Sequence, residues 1–87
     1  MIMSVNRNEV KIELSRAVQS NGVDVAELIM REPLVRDQLA AQQTSKNAAE
    51  AEVILFANLC DVAPDVIKDL PLADYRKVQG AFENFTD

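Results

Sequence analysis

The 87-residue sequence has no histidine, no tryptophan, one cysteine and two glycines. Without histidine, the chain cannot form a Ser-His or Cys-His nucleophile pair or an HExxH zinc motif. The single cysteine, Cys60, excludes an internal disulfide and any CxxC motif. Two isolated glycines cannot make a glycine-rich phosphate loop. These absences predict a protein that is not an enzyme and has no cofactor, no metal site and no small-molecule substrate.

Basic residues and long apolar runs are also scarce. Fourteen acidic side chains against nine basic ones give a net charge of -5, which repels the phosphate backbone of nucleic acids. No apolar stretch approaches the ~20 residues needed to cross a bilayer, and the N-terminus lacks the basic and apolar regions of a signal peptide. The sequence therefore predicts no nucleic-acid partner and no membrane association.

Acidic residues remain as candidates for a metal site. Asp61, Asp65, Asp69 and Asp74 fall in one region of the sequence. They lack the alternating acidic residues, central glycine and terminal glutamate of a calcium-binding loop. Because aspartate is favoured at helix starts, helix capping and solvation are the better explanation for these four residues.

The N-terminal part of the chain predicts a β-hairpin. Residues 9–32 alternate apolar and polar side chains, as strands do. Asn21-Gly22 lies in their middle, and this pair is the strongest short signal for a hairpin turn. A two-residue loop places these residues opposite each other: Val18 and Val25, Leu14 and Ile29, Arg16 and Glu27. The last pair would be a cross-strand ion pair.

The rest of the chain predicts helices. Pro33 ends the second strand, and residues 34–43 form a short helix with Val35 and Leu39 at i and i+4. Asn47 begins a capping box and a helix that runs to residue 59 or 60, apolar nearly all round in its second half. Two further helices begin near prolines, over Pro64–Lys68 and 72–85. We therefore predict one α+β domain over residues 1–87, with an N-terminal two-stranded antiparallel β-hairpin (9–32) followed by three to four α-helices (34–86).

The candidate partner-binding residues lie on the last helix and before Pro33. Leu72, Val78 and Phe82 continue an apolar stripe at helical spacing and are predicted to face the core. Tyr75 and Phe85 share this stripe, and they face either the core or an interface. Arg31 and Glu32 form either an anchor for a partner or a surface ion pair at a strand end. The candidate site is therefore Arg31, Glu32, Leu72, Tyr75, Phe82 and Phe85.

The order of these elements resembles the E-type tail assembly chaperones of contractile-tailed bacteriophages. The resemblance covers residues 23–85 and includes Arg31-Glu-Pro33, an alanine-rich helix, an apolar helix, a Pro-Asp turn and Leu70-Pro-Leu-Ala-Asp-Tyr75. Two usual signals of the family are missing: Leu34 follows the proline where members usually have threonine, and Asp61-Val62 stands where a glycine usually precedes the turn. The resemblance implies a non-enzymatic protein that binds the tape-measure protein of the tail and keeps it soluble, in the cytoplasm of the bacterial host.

Other readings of the sequence remain open. One is a small acidic regulatory module, of the antirepressor or antitoxin type, that binds another protein. A DNA-binding repressor is disfavoured, because its reading helix would present Asp65, Lys68 and Asp69 to DNA. In each case, the small core and the unpaired strand edges predict a homo-oligomer that uses a hairpin edge or the last helix.

Overall fold

The computed structural model describes residues 8–86 and contains two strands followed by four helices. This confirms the predicted α+β fold with an N-terminal antiparallel hairpin. The strands are β1 (Glu9–Ser20) and β2 (Val23–Arg31), and the helices are α1 (Val35–Thr44), α2 (Ala48–Cys60), α3 (Pro64–Lys68) and α4 (Leu72–Thr86). None of the described helices is both long and apolar enough to span a membrane.

The hairpin turn forms at the predicted position. Asn21 and Gly22 have φ values of 53° and 80°, the positive values that a two-residue turn of this kind requires at both central positions. Ser20 therefore pairs with Val23, and Val18 pairs with Val25 as predicted.

The predicted register fails beyond Val18. Glu13 pairs with Glu27, so residues 14–17 of β1 lie opposite the single residue Ala26 of β2. This bulge adds three residues to β1, and the predicted pairs of Leu14 with Ile29 and Arg16 with Glu27 are wrong. Lys11 makes the ion pair with Glu27 instead, at 3.5 Å.

The odd number of extra residues changes which face of β2 meets the core. A shift by an odd number moves the side chains of a strand to the opposite face of its partner. At the open end of the hairpin, Leu28 and Met30 are buried. Nearer the turn, Val25 packs against the core and Ala26 is exposed. The bulge thus lets both halves of the hairpin cover the helices.

The core centres on α2, which packs against α1, α3 and β2. Its second half is apolar nearly all round, and Phe56, Ala57 and Leu59 are almost completely buried. α4 lies along β1, and α2 packs against β2. Helices therefore cover both strands of the hairpin. Asn47 caps α2 as predicted, accepting a hydrogen bond from the Glu50 N–H at 3.0 Å.

Candidate functional site

A buried carboxylate joins α4 to the bulge of β1. Both oxygens of Asp74 accept from the Ser15 N–H at 3.1 Å, and the Ser15 hydroxyl donates to Oδ2 at 2.9 Å. The Lys77 ammonium lies 3.5 Å from Asp74 and donates to the Glu13 carbonyl at 3.1 Å. Burial raises the pKa of Asp74, but the hydrogen bonds from Ser15 and the Lys77 charge outweigh it, and the pKa lies below its ordinary value. Asp74 is completely buried, so the prediction that it is a solvated residue is wrong. The sequence did not predict its contact with Ser15.

An aromatic cluster joins α4 to α2. The Phe56 ring lies between Tyr75 and Phe82, at centroid distances of 5.7 and 5.5 Å in tilted orientations. The Tyr75 hydroxyl donates to Glu52 at 2.5 Å, and the Gln79 amide donates to the same oxygen at 2.9 Å. Burial and then the contact with Glu52 raise the pKa of Tyr75. Its hydroxyl is therefore bonded to α2 in a partly buried position.

The apolar stripe of α4 divides between the core and the surface. Val78 is completely buried, as predicted, and Phe82 and Phe85 are half-buried against the core. Leu72 is 67% exposed, so its prediction as a core residue is wrong. The buried face of α4 contains Asp74 and Val78. Leu72 lies two residues before Asp74, which is about 200° around the helix.

Arg31 has an intramolecular partner that the sequence reading did not identify. Its guanidinium makes a two-pronged ion pair with Asp37 of α1, with both N···O distances at 2.8 Å. Arg31 also donates to the main-chain carbonyl of Glu32 at 3.3 Å. Its ion pair at the strand end is with Asp37 and not with the Glu32 side chain. The hydrogen bonds from Arg31 outweigh burial and lower the pKa of Asp37 to about 2. Glu32 itself is exposed.

A groove separates α1 from α4. Two adjoining cavities of about 230 and 170 Å³ share Gln38 of α1, Leu55 of α2 and Phe82 of α4. The smaller cavity extends past Leu34 to Phe85 at the end of α4. We call this surface the α1–α4 groove. It contains two of the predicted candidate residues, Phe82 and Phe85, and its lining is mostly apolar or uncharged.

α1 has two large exposed apolar side chains, of which one lines this groove. Val35 lines it and is 77% exposed, and Leu39, one turn further on the same side of α1, is 54% exposed. The sequence reading placed Val35 and Leu39 on one side of a helix but did not select them as site residues. The i and i+4 spacing of Val35 and Leu39 was the signal that could have identified them as site residues. α1 packs against α2 through the small residue Ala41, which leaves the larger apolar residues outside.

The lining of the α1–α4 groove is suited to contacts with apolar groups. In residues 8–86, no three His, Cys, Asp or Glu side chains are close enough to hold a metal ion. Cys60 lies outside the α1–α4 groove, and burial raises the pKa of its thiol to about 11, so it is protonated at neutral pH and a poor nucleophile. The groove offers aromatic and aliphatic carbon beside amide groups, a composition suited to apolar side chains of a partner.

Comparison with known proteins agrees with a binding role. The chain matches the family described as phage tail assembly chaperone proteins, E, or 41 or 14, over residues 11–87. It belongs to this family. The match confirms the resemblance in the order of the elements and contains all four helices. No curated protein and no solved structure matches the chain significantly.

This tail assembly chaperone compensates for both family signals that it lacks. The Leu34 side chain has no polar atom that could cap α1. The Asp37 carboxylate instead accepts from the Leu34 N–H at 2.9 Å. Asp61 ends α2 in the left-handed conformation with φ of 56°, a conformation that favours glycine but that aspartate also adopts. Both local structures therefore form without the family's usual residues.

Proposed function

We propose that this tail assembly chaperone binds the tape-measure protein of the phage tail and keeps it soluble, using the α1–α4 groove. The family assignment supports a chaperone role, and the resemblance of the chain to E-type chaperones implies the tape-measure protein as partner. The observation that carries the choice of surface is the groove itself, with Phe82 and Phe85 half-buried on one side and Val35 exposed on the other. Binding is non-enzymatic and takes place in the host cytoplasm.

The physical basis is burial of apolar surface. A tape-measure protein is a long helical chain with apolar faces, and an amphipathic helix places apolar residues every three or four positions. Such a helix fits a groove between two helices, where its apolar face replaces water against the groove walls. The net charge of -5 on the chaperone adds repulsion between complexes and so opposes aggregation.

The predicted candidate residues take different parts in this proposal. Phe82 and Phe85 contact the partner directly. Tyr75 and Arg31 act as positioning residues, since Tyr75 fixes α4 against α2 and Arg31 fixes the start of α1. Glu32 and Leu72 do not line the groove, and we assign them no direct contact with the bound helix.

Co-expression with the tape-measure protein tests the proposal. The wild-type chaperone is expected to raise the soluble yield of the tape measure and to elute with it from a sizing column. A variant that combines Val35→Ser with Phe85→Ser removes apolar groups from both walls and is expected to lose most of both effects. Circular dichroism establishes that the variant is folded.

Val23→Ser is a matched control, because Val23 is 64% exposed at the hairpin turn, away from the groove. It is expected to behave like wild type. An unchanged tape-measure yield with wild-type protein would contradict the chaperone proposal. A folded groove variant with full activity would contradict the choice of surface and leave the chaperone role intact.

We also propose that the protein acts as a homo-oligomer. A chain of this size buries a limited core, and a two-stranded sheet has two outer edges whose backbone groups must be paired, covered or hydrated. A second copy relieves both conditions.

A further inference from the structure

A single charged side chain borders the α1–α4 groove. Of the described residues that line its two cavities, only Glu52 carries a charge, and it lines the larger cavity, of about 230 Å³. The same cavity is lined by Ala51 and Leu55 of α2 and by Phe82 of α4. Glu52 is half-buried, so water reaches its carboxylate only in part. A helix bound in the groove removes more of that water.

The two oxygens of the Glu52 carboxylate have different surroundings. Oε1 accepts both hydrogen bonds that join Glu52 to α4, from the Tyr75 hydroxyl and from the Gln79 amide. No residue in the described part of the chain donates to Oε2. None of the lysines and arginines between residues 8 and 86 makes an ion pair with Glu52. Both donors to Glu52 are uncharged, so its negative charge has no basic partner within this range.

A lone carboxylate beside an apolar cavity favours one kind of partner. An apolar group placed over Glu52 leaves the open oxygen with neither water nor a donor, which weakens binding. A basic side chain of the partner supplies both a donor and the opposite charge. Because only Oε2 is open, a single N–H of a lysine ammonium fits it, whereas a two-pronged arginine contact needs both oxygens.

The place of Glu52 along the groove indicates where this lysine belongs in a bound helix. Leu55 and Phe82 line both cavities, whereas Glu52 lines only the larger one and lies one turn of α2 before Leu55. Two apolar side chains at i and i+4 share one face of a helix and can enter the two cavities. A residue one further turn along, on the side of the larger cavity, then lies beside Glu52.

We propose that the α1–α4 groove selects helices with two apolar residues at i and i+4 and a lysine one turn beyond them, and that Glu52 binds this lysine. The inference rests on the proposed function and deepens it, because it names the feature that distinguishes the bound segment of the partner from other amphipathic helices.

Synthetic peptides and the full-length chaperone test this selection. The probe is an amphipathic helical peptide with two leucines at i and i+4 and one lysine three positions after the second leucine. In the comparison peptide, glutamine replaces that lysine. Fluorescence anisotropy of the labelled peptides is expected to show about fivefold tighter binding of the lysine peptide to the wild-type protein. This preference should decrease as the salt concentration rises.

Glu52→Gln is the decisive variant. Its amide oxygen can still accept from Tyr75 and Gln79, but the charge is lost, and we expect the two peptides to bind it equally. Glu83→Gln is the matched control, because it removes the same charge from an exposed position of α4 outside the groove. It should keep the full preference. A purely structural role of Glu52 would weaken both peptides by the same factor, so the preference, rather than the affinity, is the readout.

The outcomes separate this inference from the proposed function. Equal binding of the two peptides to wild type, or a preference that Glu52→Gln retains, overturns the selection by Glu52 and leaves the groove as the binding surface. If neither peptide binds wild type, the groove does not accept such a helix and the inference is wrong as a whole. The soluble yield of the tape-measure protein then still decides the chaperone role by its own test.

Discussion

α1 and α2 are neighbouring helices that place their apolar residues in opposite ways. In α2, Phe56 and Leu59 are almost completely buried, and the helix meets α1, α3 and β2. In α1, Val35 and Leu39 are exposed, and Ala41 makes the contact with α2. Apolar side chains on α2 therefore stabilise the fold, whereas those on α1 stabilise little and are available for binding. The difference shows that the neighbours of a helix, rather than its own composition, decide what its apolar residues do.

The largest effect is expected from the centre of α2. Phe56→Ala removes the ring between Tyr75 and Phe82 and leaves a cavity, which lowers the free energy of unfolding by about 3–5 kcal/mol. Urea denaturation measures this loss. Leu39→Ala on α1 is the control, and its effect should stay within ~0.5 kcal/mol. Similar losses in the two variants would remove the distinction between the helices.

Asp74 and Asp37, which are both buried, extend the comparison to polar contacts. Asp74→Asn keeps the shape of the side chain but replaces one acceptor of the Ser15 hydrogen bonds by a donor. Its melting temperature should fall on the order of 10 °C. Asp37→Asn, at the start of α1, should lower it by about half as much, because this site lies at the edge of the core. If calorimetry shows a larger fall in melting temperature for Asp37→Asn than for Asp74→Asn, α1 contributes more to the fold than its contacts indicate.

A pH titration examines the attachment of α1 more directly. The pKa of Asp37 is lowered from 3.8 to about 2, so this group contributes stability that is present above the unfolded-state value and is lost as the pH falls through the folded-state value. The free energy of unfolding of wild type should therefore decrease from about pH 4 to about pH 2. Asp37→Asn should make this part of the curve less steep, and Asp74, whose pKa is also lowered, should keep the rest of the slope.

Arg31→Gln provides the matching variant for that titration, because it removes the main cause of the lowered pKa. It should flatten the same pH range while Asp37 is kept. If both variants retain the full wild-type slope, the ion pair between β2 and α1 does not contribute to acid stability.

The smallest effect is expected at the C-terminal end of α2. Asp61 has a positive φ of 56°, and Asp61→Gly removes the cost of that conformation, which should stabilise the protein by about 0.5–1 kcal/mol. Asp61→Ala should destabilise it, because alanine tolerates this conformation poorly. Equal stability of the two variants in urea would show that the end of the helix is not strained.

Local signals predicted most of the fold. Asn21-Gly22 fixed the turn, and Pro64 with the Asn47 cap fixed helix starts, because each acts within a few residues of its own position. The register prediction failed because residues 14–17 form a bulge, and Ser15 within it bonds to Asp74, which lies 59 residues away in the sequence. The prediction for Leu72 failed because α4 buries the face that contains Asp74 and Val78, and Leu72 lies on the other side of the helix.

The residues of the candidate surface were also predicted only in part, because local patterns do not show which elements pack together. Phe82 and Phe85 carry a strong apolar pattern on a long helix, and both line the groove. Val35 was missed as a binding residue because its exposure depends on how α1 meets α2 through Ala41. The partner of Arg31 was missed because Asp37 becomes its neighbour only after the chain turns at Pro33.

The bulge also has a consequence for the order of events during synthesis. The hairpin leaves the ribosome well before α4, so Ser15 has no Asp74 carboxylate to receive its N–H until residue 74 has been made. Until then, continuous pairing from the turn remains the simplest arrangement of the strands. We expect a nascent chain halted before residue 74 to pair Leu14 with Ile29, and the arrival of α4 to shift the open end of the hairpin by three residues into its final register.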